Sequence, residues 1–247
     1  MPKFLRKIII VIAALTFIGS ASYLAWMYYQ THAGDAAYEK IINEVVSADE
    51  SADLNNLPEE WPVIDFEALL AINRDIIAWI YIPDTPISYP VLRGETNQTY
   101  IRATYERKYN ILGSIFQDCR NDAEFNDHNT IIYGHNTRSG SMFGSLKKHK
   151  DQAYAQEHKD IYILRKNETL IYEVFAVYET SATSDTYTIN FSSKESYTKY
   201  LENMSKRTVT RVGDPPASER IITLSTCTGG DQSLRLVIQA KLVGTII

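Results

Sequence analysis

The chain has almost no cysteine. Two residues, Cys119 and Cys227, stand among 247. Two thiols build neither a disulfide framework nor a four-thiolate zinc site, so an ordinary core must hold most of the fold. A basic surplus is lacking too. Twenty-five Lys and Arg face 30 Asp and Glu, a formal net charge of −5, which disfavours a nucleic-acid binder. No internal repeat or low-complexity tract stands out. Hydrophobic residues make 45% and charged residues 22%, ordinary globular usage that excludes a wholly disordered chain. Seventeen tyrosines and three tryptophans favour a β-rich fold.

Charge is missing altogether from residues 8–34. Within them, Ile8 to Tyr29 is a 22-residue apolar run. At about 1.5 Å per residue it makes roughly 33 Å of helix, enough to cross a bilayer. Lys3, Arg6 and Lys7 precede it, and the positive-inside rule then puts the N-terminus in the cytoplasm. Tyr23, Trp26, Tyr28 and Tyr29 read as an interfacial belt on the far side. The alternative is a cleaved signal peptide, for which Ala21 and Ala25 offer small residues but no A-x-A site closes the run. Either reading exports the body. The expected organisation is a cytoplasmic tail (1–7), a transmembrane signal-anchor (8–29), a helical and linker segment (30–62) and a β-barrel domain (63–247). Beyond residue 7 the chain has 22 basic and 30 acidic residues, so charge alone does not attract it to an anionic membrane.

After the anchor, Tyr38, Ile41, Ile42 and Val45 recur at helical spacing and predict a helix over 35–47. Ser47 to Pro62 reads as a linker. Asp65 to Asn73 reads as a short helix with Asp65 as its N-cap. The pattern then shifts to period two, with strands expected over 77–82, 87–92, 112–117, 129–133, 160–164, 169–178, 219–226 and 234–243. Eight short strands with helices only as insertions predict a mostly β chain, a barrel or a sandwich. Ser192 to Arg207 interrupts them with an amphipathic helix, Tyr197, Tyr200, Leu201 and Met204 on one side.

Chemistry concentrates at two strand ends. In Thr223-Leu-Ser-Thr-Cys227, alternation sets Thr223, Ser225 and Cys227 on one face. The loop that follows contains Gly229, Gly230 and Asp231, and the last strand begins at Leu234-Arg235. If the two strands are neighbours, a thiol lies near a guanidinium. A cation favours the nucleophilic thiolate, and a guanidinium also stabilises a developing oxyanion. A cysteine nucleophile needs a proton partner. Of five histidines, His135 follows the strand Asn129–Tyr133 through Gly134, a presented position. The bland readings are a packed thiol, a surface arginine and an idle histidine. A Cys119–Cys227 disulfide competes as well, since the compartment is exported and the cysteine count is even. The histidine spacings match no metal pattern, and no metal or other cofactor is expected.

These residues resemble the sortase family. Thr223-Leu-Ser-Thr-Cys227, with Arg235 eight residues on, looks like its T-L-x-T-C signature and strand arginine. Asn129 to Asn136 looks like its histidine segment. Gly113 to Asn121, Ser141 to Asp151 and the helix at 192–207 are similar to class B members in particular. The resemblance covers roughly residues 35–247. It implies an eight-stranded sortase-type barrel with N-terminal helices and a helical insertion between strands 6 and 7. It also implies a cysteine transpeptidase outside a Gram-positive-type cell membrane, single-pass, with its catalytic domain extracellular. Such enzymes cut a sorting motif (NPxTN or xPxTG type) after its Thr and pass the acyl group to an amine. By this resemblance Cys227 is the nucleophile, His135 the general acid/base, and Arg235 the oxyanion-stabilising or positioning residue. Asn97, Ser225 and Tyr187 bind the sorting signal, although Asn97 is equally a turn residue. Expected partners are sorting-signal-bearing surface proteins, an amine on peptidoglycan or lipid II, and the membrane through the N-terminal helix, with no nucleic acid. A pilin-polymerising enzyme with a lysine acceptor and a non-catalytic surface β-barrel are the alternatives. Two glycines in the Cys–Arg loop and Cys119, where the family often has an aromatic or aliphatic residue, depart from the pattern.

Overall fold

The computed structural model describes residues 2–48, 62–217, 219–228 and 233–247. The chain opens with one continuous helix, α1 (Lys3–Val45). Its first part is fully exposed and apolar, and by length and composition it suffices to cross a membrane. Its last part buries Gly34, Tyr38, Ile41 and Val45 against the barrel. The expected anchor and the expected amphipathic helix are thus one element. No proline or glycine pair falls between Tyr29 and Tyr38 to break it.

Two short strands, β1 (Val46–Ala48) and β2 (Pro62–Ile64), pair antiparallel at either end of the expected linker, most of which lies outside the described residues. Helix α2 (Phe66–Ile72) follows, capped by Asp65, whose carboxylate accepts the Ala68 N–H at 2.9 Å.

Eight strands then close a barrel. They are β3 (Ile76–Tyr81), β4 (Ser88–Leu92), β5 (Ile115–Gln117) and β6 (Asn129–Tyr133). The rest are β7 (Asp160–Leu164), β8 (Thr169–Ser181), β9 (Ile221–Cys227) and β10 (Leu234–Ile246). Around the barrel the order is β10-β8-β7-β3-β4-β5-β6-β9. The β4–β5 and β6–β9 pairs are parallel and the others antiparallel. Closure leaves no strand edge in the barrel open to solvent.

A short helix, α3 (Gln152–Glu157), precedes β7. All eight expected strands are present, and the α4 helix (Lys194–Arg207) falls between the sixth and seventh barrel strands, β8 and β9. Alternation decides what each face does. Ile222, Leu224, Leu236 and Ile238 point into the main core. Ile221, Val237, Phe175 and Tyr178 point outward and are covered by Tyr197, Tyr200, Leu201 and Met204 of α4. Burying an aliphatic or aromatic side chain is worth about 1.5–3 kcal/mol, so this helix is an integral second layer.

Candidate active site

The end of β6 presents His135. The Gly134 N–H donates to the Ser225 carbonyl at 3.2 Å, fastening this end to β9. A Cβ at Gly134 would lie 2.5 Å from Ile115 Cδ1 and 2.7 Å from the Phe143 ring, so only glycine fits. The His135 carbonyl accepts the Phe143 N–H at 3.0 Å. Its ring Nε2 lies 2.5 Å from the Ile101 carbonyl oxygen. A carbonyl only accepts, so Nε2 carries a proton and Nδ1 is the nitrogen left for exchange.

On the neighbouring strands Arg235 is the direct Cα partner of Cys227 in the antiparallel β9–β10 ladder. Directly opposed residues have Cβ atoms about 4.5–5.5 Å apart. The side chain of Cys227 and residues 229–232, including Gly229, Gly230 and Asp231, lie outside what the structure describes. Arg235 Nη1 donates to the Leu234 carbonyl at 3.0 Å.

Asn97, His135, Tyr187, Ser225 and Arg235 line one cleft of about 210 Å³. Its walls are layered. Tyr187 and Ser225 share a hydrogen bond of 2.9 Å between their hydroxyls. Tyr187 stacks on Tyr133 with ring centroids 6.3 Å apart, and Tyr133 packs on Phe116 at 5.4 Å. On the other wall the Asn97 side-chain oxygen accepts the Cys119 N–H at 2.8 Å. Arg93 holds the Cys119 carbonyl at 2.9 Å. Cys119 is therefore held through its backbone by Asn97, a residue of the cleft lining, and does not itself line the cleft. It carries no disulfide, which removes the alternative of a bridge to Cys227.

Sequence reading missed the residues that support this wall. The Tyr133 hydroxyl donates to Asp118 at 3.0 Å, and Arg120 grips the same carboxylate through Nε at 2.9 Å and Nη2 at 2.8 Å. The Asp118 side chain is fully buried. Burial pushes its acidity down, but the bonds from Arg120 and Tyr133 outweigh it and hold Asp118 below the usual carboxylate range. Burial, then the Asp118 charge, push the Tyr133 phenol well up, so it remains a donor. Asn129 was missed too. Its amide nitrogen reaches the carbonyls of Thr186 (3.1 Å) and Thr188 (2.9 Å), and its oxygen accepts from Thr223 at 2.7 Å. It pins the turn that carries Tyr187 to the start of β6. Tyr133 and Asn129 belong to the histidine segment, so their place in the sequence was visible and their task was not.

A larger cavity of about 1030 Å³ lies between α4, β8 and residues 208–217 and contains none of the expected site residues. Among the described residues no three His, Cys, Asp or Glu side chains are grouped to hold a metal ion.

A family model described as Sortase domain matches residues 80–243. The chain is 41% identical over 180 residues to Sortase B of Listeria monocytogenes, covering 71% of this chain and 72% of that protein. It is 34% identical over 181 residues to Sortase B of Staphylococcus aureus, covering 72% and 74%. The crystal structure of sortase B from Bacillus anthracis is similar with a TM-score of 0.74 and 32% identity, over 87% of this chain and 99% of that one. The family-model match runs from the end of β3 into β10 and includes the cleft at the ends of β6, β9 and β10, and with these relatives it shows that the chain belongs to the sortase family as a cysteine transpeptidase of the sortase B kind.

Proposed function

We propose that the chain cleaves a C-terminal sorting motif of NPxTN or xPxTG type after its Thr and transfers the surface protein to an amine of cell-wall peptidoglycan or its lipid-linked precursor. One observation carries the reading: Arg235 is the register partner of Cys227, and Arg235 and His135 line the same cleft.

The Cys227 thiolate attacks the Thr carbonyl carbon. The carbonyl π pair moves to oxygen, and Arg235 donates to that oxyanion. Collapse breaks the C–N bond, and His135 gives a proton to the leaving amine. A thioester joins Thr to Cys227. An incoming amine attacks it, His135 takes the proton, and Cys227 leaves as thiolate. Because the Nε2 proton is held by the Ile101 carbonyl, the exchanging atom is Nδ1. Asn97, Ser225 and Tyr187 line the route of the sorting signal. Helix α1 anchors the enzyme in a single pass, residues 8–29 within the membrane, the tail 1–7 cytoplasmic and the barrel outside; the basic residues Lys3, Arg6 and Lys7 support that orientation.

The test offers the exported part quenched peptides bearing NPxTN, NPxTG, SPxTG and LPxTG, with and without a glycine or diaminopimelate peptide. Cleavage after Thr with an amide-linked product, absent in Cys227→Ala, is the expected result. Failure on every peptide by folded, reduced protein overturns the assignment.

A further inference from the structure

Helix α1 and the barrel meet without a spacer. The apolar run ends at Tyr29, and the Gln30 carbonyl accepts a hydrogen bond of 2.8 Å from the Asn110 side chain. Four residues on, Gly34 is buried, and a Cβ there would lie 2.6 Å from Leu112 and 2.7 Å from the Asn110 oxygen. Further along, Tyr105 donates to the Ala37 carbonyl at 2.9 Å, and Tyr38 to the Gly113 carbonyl at 2.7 Å. The segment 101–113 is thus fixed to the helix along its first turns beyond the apolar run.

Lengths locate this contact. A hydrocarbon core of ~30 Å takes about 20 helical residues at ~1.5 Å each, and the headgroup layer beyond it is roughly 5–7 Å thick, about four residues more. Counted from Ile8, Gln30 falls inside that layer. So does the part of the barrel bonded to it. There the backbone of Asn110 pairs with Arg102, and Ala103 bridges Tyr109. Arg102, Lys108 and Tyr109 are exposed, Tyr109 by 56%. An exposed tyrosine flanked by long cationic side chains suits the headgroup level.

We infer that the hairpin 102–111 is a membrane-contact surface, resting on the phospholipid headgroups of the bilayer that α1 spans. This rests on the reading of α1 as a membrane anchor. The contact is one residue from the site, because the carbonyl that holds His135 belongs to Ile101, next to Arg102. The cleft wall at His135 therefore opens beside the bilayer surface.

The experiment uses the full chain carrying Cys119→Ser and Cys227→Ala, with one new cysteine labelled by a fluorophore. The sites are Trp26→Cys, Tyr109→Cys and Asn167→Cys. Asn167 lies beside Lys166, which is paired with Glu67 of α2, a helix whose cap Asp65 donates its N–H to the carbonyl of Val45, the last residue of α1, some 20 Å along that helix from Gln30 at ~1.5 Å per residue. The protein is reconstituted in phosphatidylcholine vesicles containing headgroup-spin-labelled phosphatidylcholine. Expected is quenching at Tyr109→Cys at least about twofold stronger than at Asn167→Cys. A lipid-protected Trp26→Cys with equal quenching at the other two sites overturns the contact surface and leaves the anchor standing. A water-exposed Trp26→Cys overturns the anchor and the contact surface together.

Discussion

Arg235 stands directly across the β9–β10 ladder from Cys227, at the mouth of the cleft that His135 enters from β6. The pairing is fixed by a ladder running from Arg235–Cys227 to Lys241–Ile221, so a one-residue slip would invert every buried position of both strands. Arg235→Lys keeps the charge and loses the planar fork. The expected result is a fall in kcat of about 100-fold, the scale of losing one oxyanion donor, with KM little changed. Undiminished turnover would remove Arg235 from that role.

Asn129 joins β6, β9 and the turn carrying Tyr187 through buried hydrogen bonds. Asn129→Leu keeps the size and strands those partners. Buried groups left unpaired cost about 1–3 kcal/mol each, so a loss of at least ~2 kcal/mol in denaturant unfolding is expected. Since Tyr187 bonds Ser225 in the cleft, KM for the peptide should rise more than kcat falls.

Gly34 is where α1 touches Asn110 and Leu112 with no room for a side chain. Gly34→Val forces this contact apart at a cost of about 1–3 kcal/mol. Limited proteolysis should then cut within residues 30–48 faster than in the parent protein while the barrel stays resistant. An unchanged cleavage rate would show that α1 does not depend on this contact.

His149 sits at 1% exposure beneath Tyr154, its Nε2 3.1 Å from the His158 carbonyl. Burial, the larger cause, pushes its pKa down to about 4. An unfolded histidine titrates near 6.5, so between these values the unfolded chain binds the extra proton. Stability is present in full above about pH 6.5 and declines as pH falls towards 4, by up to ~3 kcal/mol. Thermal melts across this window should show the decline, and His149→Phe should flatten it. A slope identical in both proteins would exclude His149 as its source.

Much of the fold was legible because each barrel strand carries its own short apolar or alternating run. β6 and β7 begin and end where the sequence reading put them, at 129–133 and 160–164. β8 runs three residues further than expected, since Glu179, Thr180 and Ser181 are polar and are strand only by pairing with β10, and β10 runs three further, where Gly244, Thr245 and Ile246 pair with Ile171, Leu170 and Thr169 of β8. The barrel order, with β6 parallel to β9 across some ninety residues of chain, leaves no local trace. The site divides in the same way. Cys227, His135 and Arg235 announce themselves by residue type and spacing. The Ile101 carbonyl that orients His135 is main chain and has no sequence signal. Asp118 carries no sequence signal of its partner, and only the fold brings Tyr133 to it.

The most direct measurement is where the acyl group goes. Wild-type exported domain is mixed with a cleavable sorting peptide and no amine, quenched in acid, digested and read by mass spectrometry. The account predicts a hydroxylamine-labile adduct, ending at the Thr of the motif, on the fragment containing Cys227. An adduct on Cys119, whose N–H is bonded to the Asn97 side chain of the cleft, or cleavage with no adduct, would contradict it.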